Sequence, residues 1–273
     1  MMVMTIAQAL ARVPDEPRWV DVRGMLLSGR ATVRAGPADV SAGFVVIVAD
    51  VSLAAIVGSP RPDLISESLA ALEGDVNVLV QHEDAAWTSS ALPGCVRRTA
   101  VLHVLPGVMP WEAVSDPSTR VFTRTTAPRL DHVPDPLRKE LLEALRGRTT
   151  ARFVPGALPN APDRQVGAAL PIAAAWAGPR PVSFCYPVWQ TERWWDVSID
   201  TLEACRRRGY AQRAARAMIR HLRAEGRAPV WGAVESNTAS RGLAARLGFI
   251  EAAGLSVFTL PRPDARTSAA PVL

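Results

Sequence analysis

At Trp195–Leu202 the chain reads WDVSIDTL, alternating polar and apolar residues as a strand does, and it runs on into RRRGYA at Arg206–Ala211. A strand that feeds a glycine-containing turn and then a helix leaves backbone N–H groups at the helix start without intrahelical acceptors. Those donors point at one spot and add to the positive end of the helix dipole, which is the combination that binds a phosphate or pyrophosphate. Gly209 removes the side chain that would block close approach, and the small Ala211 does nearly the same. Arg206, Arg207 and Arg208 place cationic donors around the same point. A tight strand-to-helix turn with a solvated basic face would use the same residues, so the turn alone does not decide between the two readings.

The elements that must position this turn are legible in the second half of the chain. A helix runs from the turn to about Ala224, with Ala211, Ala214, Ala215, Met218, Ile219 and Leu222 on one stripe. Pro229–Val234 reads as the next strand. Asn237 is a good N-cap for a helix over Thr238–Leu247, and Gly248 is the expected stop. Leu255–Leu260 reads as a final strand. Upstream, Pro171–Trp176 and Val182–Tyr186 look like two strands around a short turn. The first half gives strand-like runs at Phe44–Ala49, Asn77–Gln81 and Thr99–Leu105, with a helix over Pro62–Leu72 opened by proline and closed by Gly74. Ala127–Pro136 reads as a connector, Leu137–Leu145 as an amphipathic helix, and Phe153–Pro162 as a loop rich in proline and glycine.

RRRGYA, followed by a second stretch from Asn237 to Phe249 that ends in Gly-Phe, resembles the two signature stretches of the GNAT superfamily of acyl-CoA-dependent N-acetyltransferases. The first signature, Q/R-x-x-G-x-G/A, is met by Arg206, Gly209 and Ala211, and the second by Asn237, Leu243, Gly248 and Phe249. The resemblance spans roughly residues 130–260 and is nearest to bacterial members that carry an extra N-terminal α/β region. It implies an α/β fold of the α+β mixed-sheet kind. A GNAT domain with splayed central strands would occupy residues 127–262, preceded by a smaller GNAT-like or related α/β region over 1–126 and followed by a flexible tail at 263–273. It further implies that the central strand splays away from Pro229–Val234. The pantetheine arm would pair with main-chain groups at Ile199, Thr201 and Leu202. The pyrophosphate would sit on Arg207, Arg208, Gly209, Tyr210, Ala211 and Gln212, and Asn237 would touch the cofactor from the second helix. The implied reaction is direct transfer from acetyl-CoA, a co-substrate, to a primary amine of a small molecule, an amino acid or a peptide.

Such a transfer needs the amine neutral, although its pKa is about 10, and needs a proton or positive field for the leaving thiolate. Many GNAT members place a tyrosine one residue after the leucine of the second stretch; here that residue is Ala244. The general acid is therefore open, with Ser240 as a stand-in. For the base, Asp196, Asp200 and Glu203 lie on or just after the central strand, and Asp196 and Asp200 share a face. A water relay would serve instead of a fixed base. The alternative to an enzyme is a non-catalytic acyl-CoA-binding sensor or partner-binding module, which Ala244 favours. Trp189, Trp194 and Trp195 bracket the strand and either line an acceptor pocket or pack the hairpin.

Composition bounds the remaining classes. The chain has 273 residues, 48% of them hydrophobic, and a net charge of +5, which excludes disorder as its main state. Lys139 is the sole lysine, so the positive charge is arginine; Arg213, Arg216, Arg220 and Arg223 form a basic helix face without the interleaved aromatics that would argue for nucleic acid. Cys95, Cys185 and Cys205 form no CxxC pair, and the four histidines show no ligand spacing, so neither a disulfide framework nor a metal site is expected. The apolar stretch Val40–Gly58 is broken by Gly43, Asp50 and Ser52, and reads as a buried strand at FVVIVAD rather than a membrane span. The N-terminus lacks the basic start of a signal peptide. These points together read as a soluble cytoplasmic protein, whose last strand and hairpin offer an edge for a homodimer.

Overall fold

The computed structural model describes residues 2–36, 42–123, 125–135, 137–145 and 170–261. In chain order they form β1 (Met2–Val3), α1 (Ile6–Leu10), α2 (Val20–Leu27), β2 (Thr32–Ala35), β3 (Gly43–Val48), β4 (Leu53–Gly58) and α3 (Pro62–Ala70). Next come β5 (Val76–Gln81), α4 (Ala85–Ala91), β6 (Val96–Val104), β7 (Thr119–Phe122), α5 (Leu137–Leu145) and β8 (Ile172–Ala177). The chain ends with β9 (Arg180–Gln190), β10 (Trp194–Thr201), α6 (Tyr210–Ala224), β11 (Ala228–Val234), α7 (Thr238–Leu247) and β12 (Ile250–Leu260). The fold is mixed α/β.

Packing divides the chain into two compact units. One comprises Met1–Arg12, Arg30–Ala100 and Gly254–Leu273, the other Val13–Gly29 and Val101–Ala253. Each unit is assembled from separate stretches, whereas the sequence suggested a single cut between residues 126 and 127. Composition marks linkers along the chain but carries no record of which distant stretches come together. The tail expected at 263–273 and the loop expected at Phe153–Pro162 lie outside the described residues.

In the first unit β2, β3 and β4 pair antiparallel, β4 and β5 pair parallel with α3 as the crossover, and Leu255–Leu260 of β12 pairs antiparallel with β5. FVVIVAD holds the expected buried strand, β3, and the chain then turns at Asp50, which accepts a 2.9 Å hydrogen bond from Arg30 Nε, into β4, so that Val45 faces Ile56. Leu53–Gly58, which follows the break at Asp50 and Ser52, is a strand that the sequence reading did not separate. The core comprises Val45, Ile47, Ile56, Ile65, Leu69, Val78, Val80 and Phe258. Among the described residues, no helix is long and apolar enough to cross a membrane.

The second unit orders its strands β6-β11-β10-β9-β8-β7. Strands β7, β8, β9 and β10 pair antiparallel, and β10 pairs parallel with β11. That parallel ladder is short: Trp194, Trp195 and Asp196 face Ala228, Pro229 and Val230, and beyond them the two strands have no paired positions. The β9–β10 register also shifts between Trp195 and Val197, a bulge of the kind that twists and bends a strand. The edge of β10 from Val197 to Thr201 therefore lacks a strand partner on the β11 side.

Helices α6 and α7 cover one face, burying Met218, Ile219, Leu222 and Leu247 against Trp195, Val197, Cys185 and Trp231. Each large apolar side chain of α6 contributes on the order of 1.5–3 kcal/mol by leaving water. On the other face α5 packs Leu141, Ala144 and Leu145 over Phe184 and Tyr186, and α2 packs on β9 and β10. The arginines of α6 are not a free basic face. Arg216 lies over the Trp111 ring at 5.1 Å, Arg220 donates to Val114 O, Arg223 donates to Leu105 O at 3.2 Å, and Arg213 stands 3.8 Å from Asp116. They clamp the segment between β6 and β7 onto the helix.

Candidate functional site

Between β10 and α6 the backbone makes an unusual turn. The Leu202 N–H donates to Val182 O at 2.9 Å and closes the β9–β10 pairing, and Glu203–Cys205 form a single 3-10 turn. Two residues then take left-handed conformations, Arg207 at φ 59 and Gly209 at φ 80. Gly209 is the N-cap of α6 and offers no side-chain acceptor, whereas serine, threonine or aspartate there would satisfy one of the first helical N–H groups. The first helical bond runs from Arg213 N to Gly209 O at 3.2 Å. Among the described residues, the N–H groups of Arg207, Arg208, Gly209, Tyr210, Ala211 and Gln212 have no protein acceptor. Unpaired donors at a helix start form a cradle for an anion.

These donors open into a cleft of about 710 Å³. Its walls are Ile199, Asp200 and Thr201 of β10, Cys205, Arg206, Arg207, Gly209, Tyr210, Ala211 and Gln212 of the turn, and Asn237, Ala239, Ser240, Leu243 and Arg246 of α7. Arg206, Arg207 and Arg246 set three positive charges against the single carboxylate of Asp200. The structure thus brings together most of the residues singled out from sequence. It does not bring Asp196, Leu202, Glu203 or Arg208 to the wall: Asp196 lies nearer the start of β10, Leu202 packs against the α5 side of the sheet, and Glu203 and Arg208 are exposed on the turn. Ala239 and Arg246 were not foreseen, although their spacing of four and three from Leu243, which the signature includes, places all three on one helix face.

Local hydrogen bonds hold the polar groups of the cleft. Asn237 caps α7 by accepting from Ser240 N–H at 3.0 Å, and Gly248 at φ 96 closes the helix. The buried Trp231 donates its Nε1–H to Ser240 Oγ at 2.9 Å, which leaves the serine O–H free to donate elsewhere. Ala244, where a tyrosine was sought by resemblance, is fully buried in the core beneath α6 and α7. The Tyr186 hydroxyl lies 2.7 Å from Glu140 Oε1 and 3.2 Å from Asp200 Oδ2, so its single proton serves one or the other of the two carboxylates. Burial and the Glu140 charge push the Tyr186 phenol well above its ordinary value, keeping it a neutral donor.

The tryptophans serve packing. Trp195 is buried in the core, Trp189 lies against α2 at Gly24, and Trp194 donates to Asp15 O at 3.1 Å. Among the described residues, no group of three or more His, Cys, Asp or Glu side chains is placed to hold a metal ion.

Residues 174–258 match a family model described as GNAT acetyltransferase. No curated protein matches the chain. A GCN5-related N-acetyltransferase-like protein from Streptococcus suis aligns with a TM-score of 0.61 at 15% identity, covering 93% of this chain and 97% of that one. A GCN5-related N-acetyltransferase from Kribbella flavida aligns at 0.53 and 14% identity, covering 97% and 99% of the two chains. An acetyltransferase of the GNAT family from Colwellia psychrerythraea aligns at 0.51 and 11% identity, covering 95% and 98%. At these identities the likeness is one of fold.

Proposed function

We propose that this chain, whose residues 174–258 match the GNAT acetyltransferase family model, transfers an acetyl group from acetyl-CoA to a primary amine of a small molecule, amino acid or peptide. The observation that carries the reading is the row of unpaired N–H groups from Arg207 to Gln212, opening into a cleft walled on one side by the unpaired edge of β10. Those donors and the flanking guanidinium groups suit a diphosphate, which accepts several charge-assisted hydrogen bonds at once. The free β10 edge offers main-chain donors and acceptors in a line, which suits an extended arm carrying amide groups, as in strand addition.

Acetyl-CoA supplies an activated acyl group and a thiol leaving group. The chain's own part is to bind the carrier, hold the acyl carbonyl beside the β10 main chain, and provide for two protons. N–H groups at a free strand edge stabilise charge that develops on the carbonyl oxygen. Ser240, whose lone pair is occupied by Trp231 Nε1–H, is assigned the hydrogen bond to the departing sulfur. Ser240→Ala is expected to lower kcat at least about tenfold, at the low end of or below the range typical of a lost proton donor. Coenzyme A affinity should stay within about threefold, since the Ala239, Leu243 and Arg246 wall is untouched. The same change strands the Trp231 N–H, for a stability loss of about 1–3 kcal/mol in a thermal or urea melt.

Isothermal calorimetry with acetyl-CoA and coenzyme A is the direct test, followed by thiol release with a panel of amines. Saturable binding in the micromolar to millimolar range usual for enzyme substrates is expected. No binding at about 1 mM, the upper end of that range, would overturn the reading. Binding without thiol release across the panel would favour an acyl-CoA-binding module instead.

A further inference from the structure

The segment clamped onto α6 does not close over it completely. A hollow of about 270 Å³ remains between the two, lined from the helix by Arg213, Arg216 and Arg220. Spacings of three and four put these arginines on one face of α6, opposite the buried stripe of Ala214, Met218 and Leu222. From the segment between β6 and β7 the hollow is lined by Trp111, Val114, Asp116 and Pro117. It shares no lining residue with the cleft at the start of α6.

Three guanidinium groups and one carboxylate face this hollow, a surplus of two positive charges. The carboxylate is turned toward its own loop: Asp116 Oδ1 accepts from Ser118 Oγ–H at 2.7 Å and from Ser118 N–H at 2.8 Å. Those bonds, with the charges of Arg213 and Arg220, hold Asp116 below the ordinary carboxylate range, so it stays ionised. Arg213 Nε stands 3.8 Å from Asp116 Oδ2, and Arg220 uses one donor on Val114 O. Arg216 lies over the Trp111 ring and, among the described residues, donates to no acceptor; its Nε is also out of contact with water. A guanidinium carries five N–H donors in a rigid fork, which a tetrahedral oxyanion satisfies two at a time. Beside the arginines, Val114 is 66% exposed, an apolar side chain left in water at the rim.

We propose that this hollow is a second anion site: it takes the phosphate of a small phosphate monoester on Arg213, Arg216 and Arg220, with the ester's apolar part on Val114 and Pro117. The size fits a compact ligand, since cavities for drug-sized molecules run from about 300 to 1,000 Å³. A phosphate dianion matches the surplus of two charges, and its oxygens give Arg216 the acceptor it lacks. Because the hollow and the cleft are lined by different residues, the ligand is a molecule other than the acyl carrier. The two sites are nevertheless neighbours: Arg213, which lines the hollow, lies 5.3 Å over the ring of Tyr210, which lines the cleft.

The test is calorimetry on the full chain with inorganic phosphate and phenyl phosphate, at an ionic strength held constant with sodium chloride. It is run alone, with saturating coenzyme A and with saturating 3′-dephospho-coenzyme A. With coenzyme A present, phenyl phosphate is expected to bind with a Kd of about 1 mM or tighter. It should bind more tightly than inorganic phosphate, because its ring leaves water on Val114 and Pro117. Arg216→Gln is expected to weaken phenyl phosphate roughly ten- to hundredfold, the worth of a hydrogen bond to a charged group. Asp116→Asn is expected to tighten it about threefold or more, because a like charge leaves the site. That opposite sign separates a lost ligand contact from a chain that folds poorly. No binding of phenyl phosphate at about 10 mM, or an affinity within about twofold of wild type in either variant, overturns the proposal. So does displacement by coenzyme A alone, which gives the hollow to the carrier's own 3′-phosphate, and so does displacement by both carriers, which puts the phosphate on the turn of α6. Absence of coenzyme A binding would sink the acetyl-transfer reading, and the two variants would still decide the hollow.

Discussion

Gly209→Val is expected to abolish coenzyme A binding in a chain that still folds. The residue is the N-cap of α6 at φ 80, and a Cβ placed there meets nothing within 4 Å, so the substitution provokes no clash inside the protein. The cost is in the backbone: a side chain in the left-handed region is disfavoured by roughly 1–2 kcal/mol, more for a β-branched one. That is small beside the ~5–15 kcal/mol by which domains of this kind are stable. Binding has no such margin. If the backbone keeps its conformation, the valine methyls stand over the N–H groups of Tyr210, Ala211 and Gln212. If it relaxes to negative φ, those donors no longer converge. A charge-assisted hydrogen bond is worth about 1.5–3 kcal/mol, so losing two of them weakens binding by roughly 10² to 10⁴. Calorimetry on the folded variant is the check, with Gly209→Ala as an intermediate. Affinity within threefold of wild type would remove the turn from the site.

The same turn shows why part of this molecule could be read without coordinates. Its chemistry is local: strand, glycine, arginines and helix start follow one another within twenty residues or so of chain, and each has a sequence signature with a physical cause. Helix α7 was legible to its ends, Thr238 and Leu247, because Asn237 and Gly248 punctuate it. What was not legible depends on residues far apart. The arginines of α6 look solvated in sequence because Trp111, Glu112 and Val114, which engage them, lie about a hundred positions upstream. Glu203 sits just past the strand and reads as a candidate base, but a 3-10 turn carries it outward. Helix α2, VDVRGMLL, gives no amphipathic signal, because every residue of it except the partly buried Asp21 is buried.

Helix α2 is therefore where the second large effect is expected, and Gly24→Ala is the variant that exposes it. In an ordinary exposed helix this change stabilises by about 0.5–1 kcal/mol, through helix propensity and a less free unfolded chain. Here the sign should reverse. A Cβ on Gly24 would lie 2.6 Å from Trp189 Cβ and 3.2 Å from the Gln190 backbone nitrogen, against the ~3.5–4.0 Å at which carbon atoms pack. Neither neighbour can yield cheaply. Trp189 is buried, and Gln190 is fixed by its β9–β10 pairing and by Arg227, which donates to its Oε1 at 2.7 Å. Overpacking of this kind costs about 1–3 kcal/mol, enough to outweigh the propensity gain, and Gly24→Leu should cost more still. A melting temperature at or above wild type for Gly24→Ala would show that α2 does not rest backbone-to-backbone on β9.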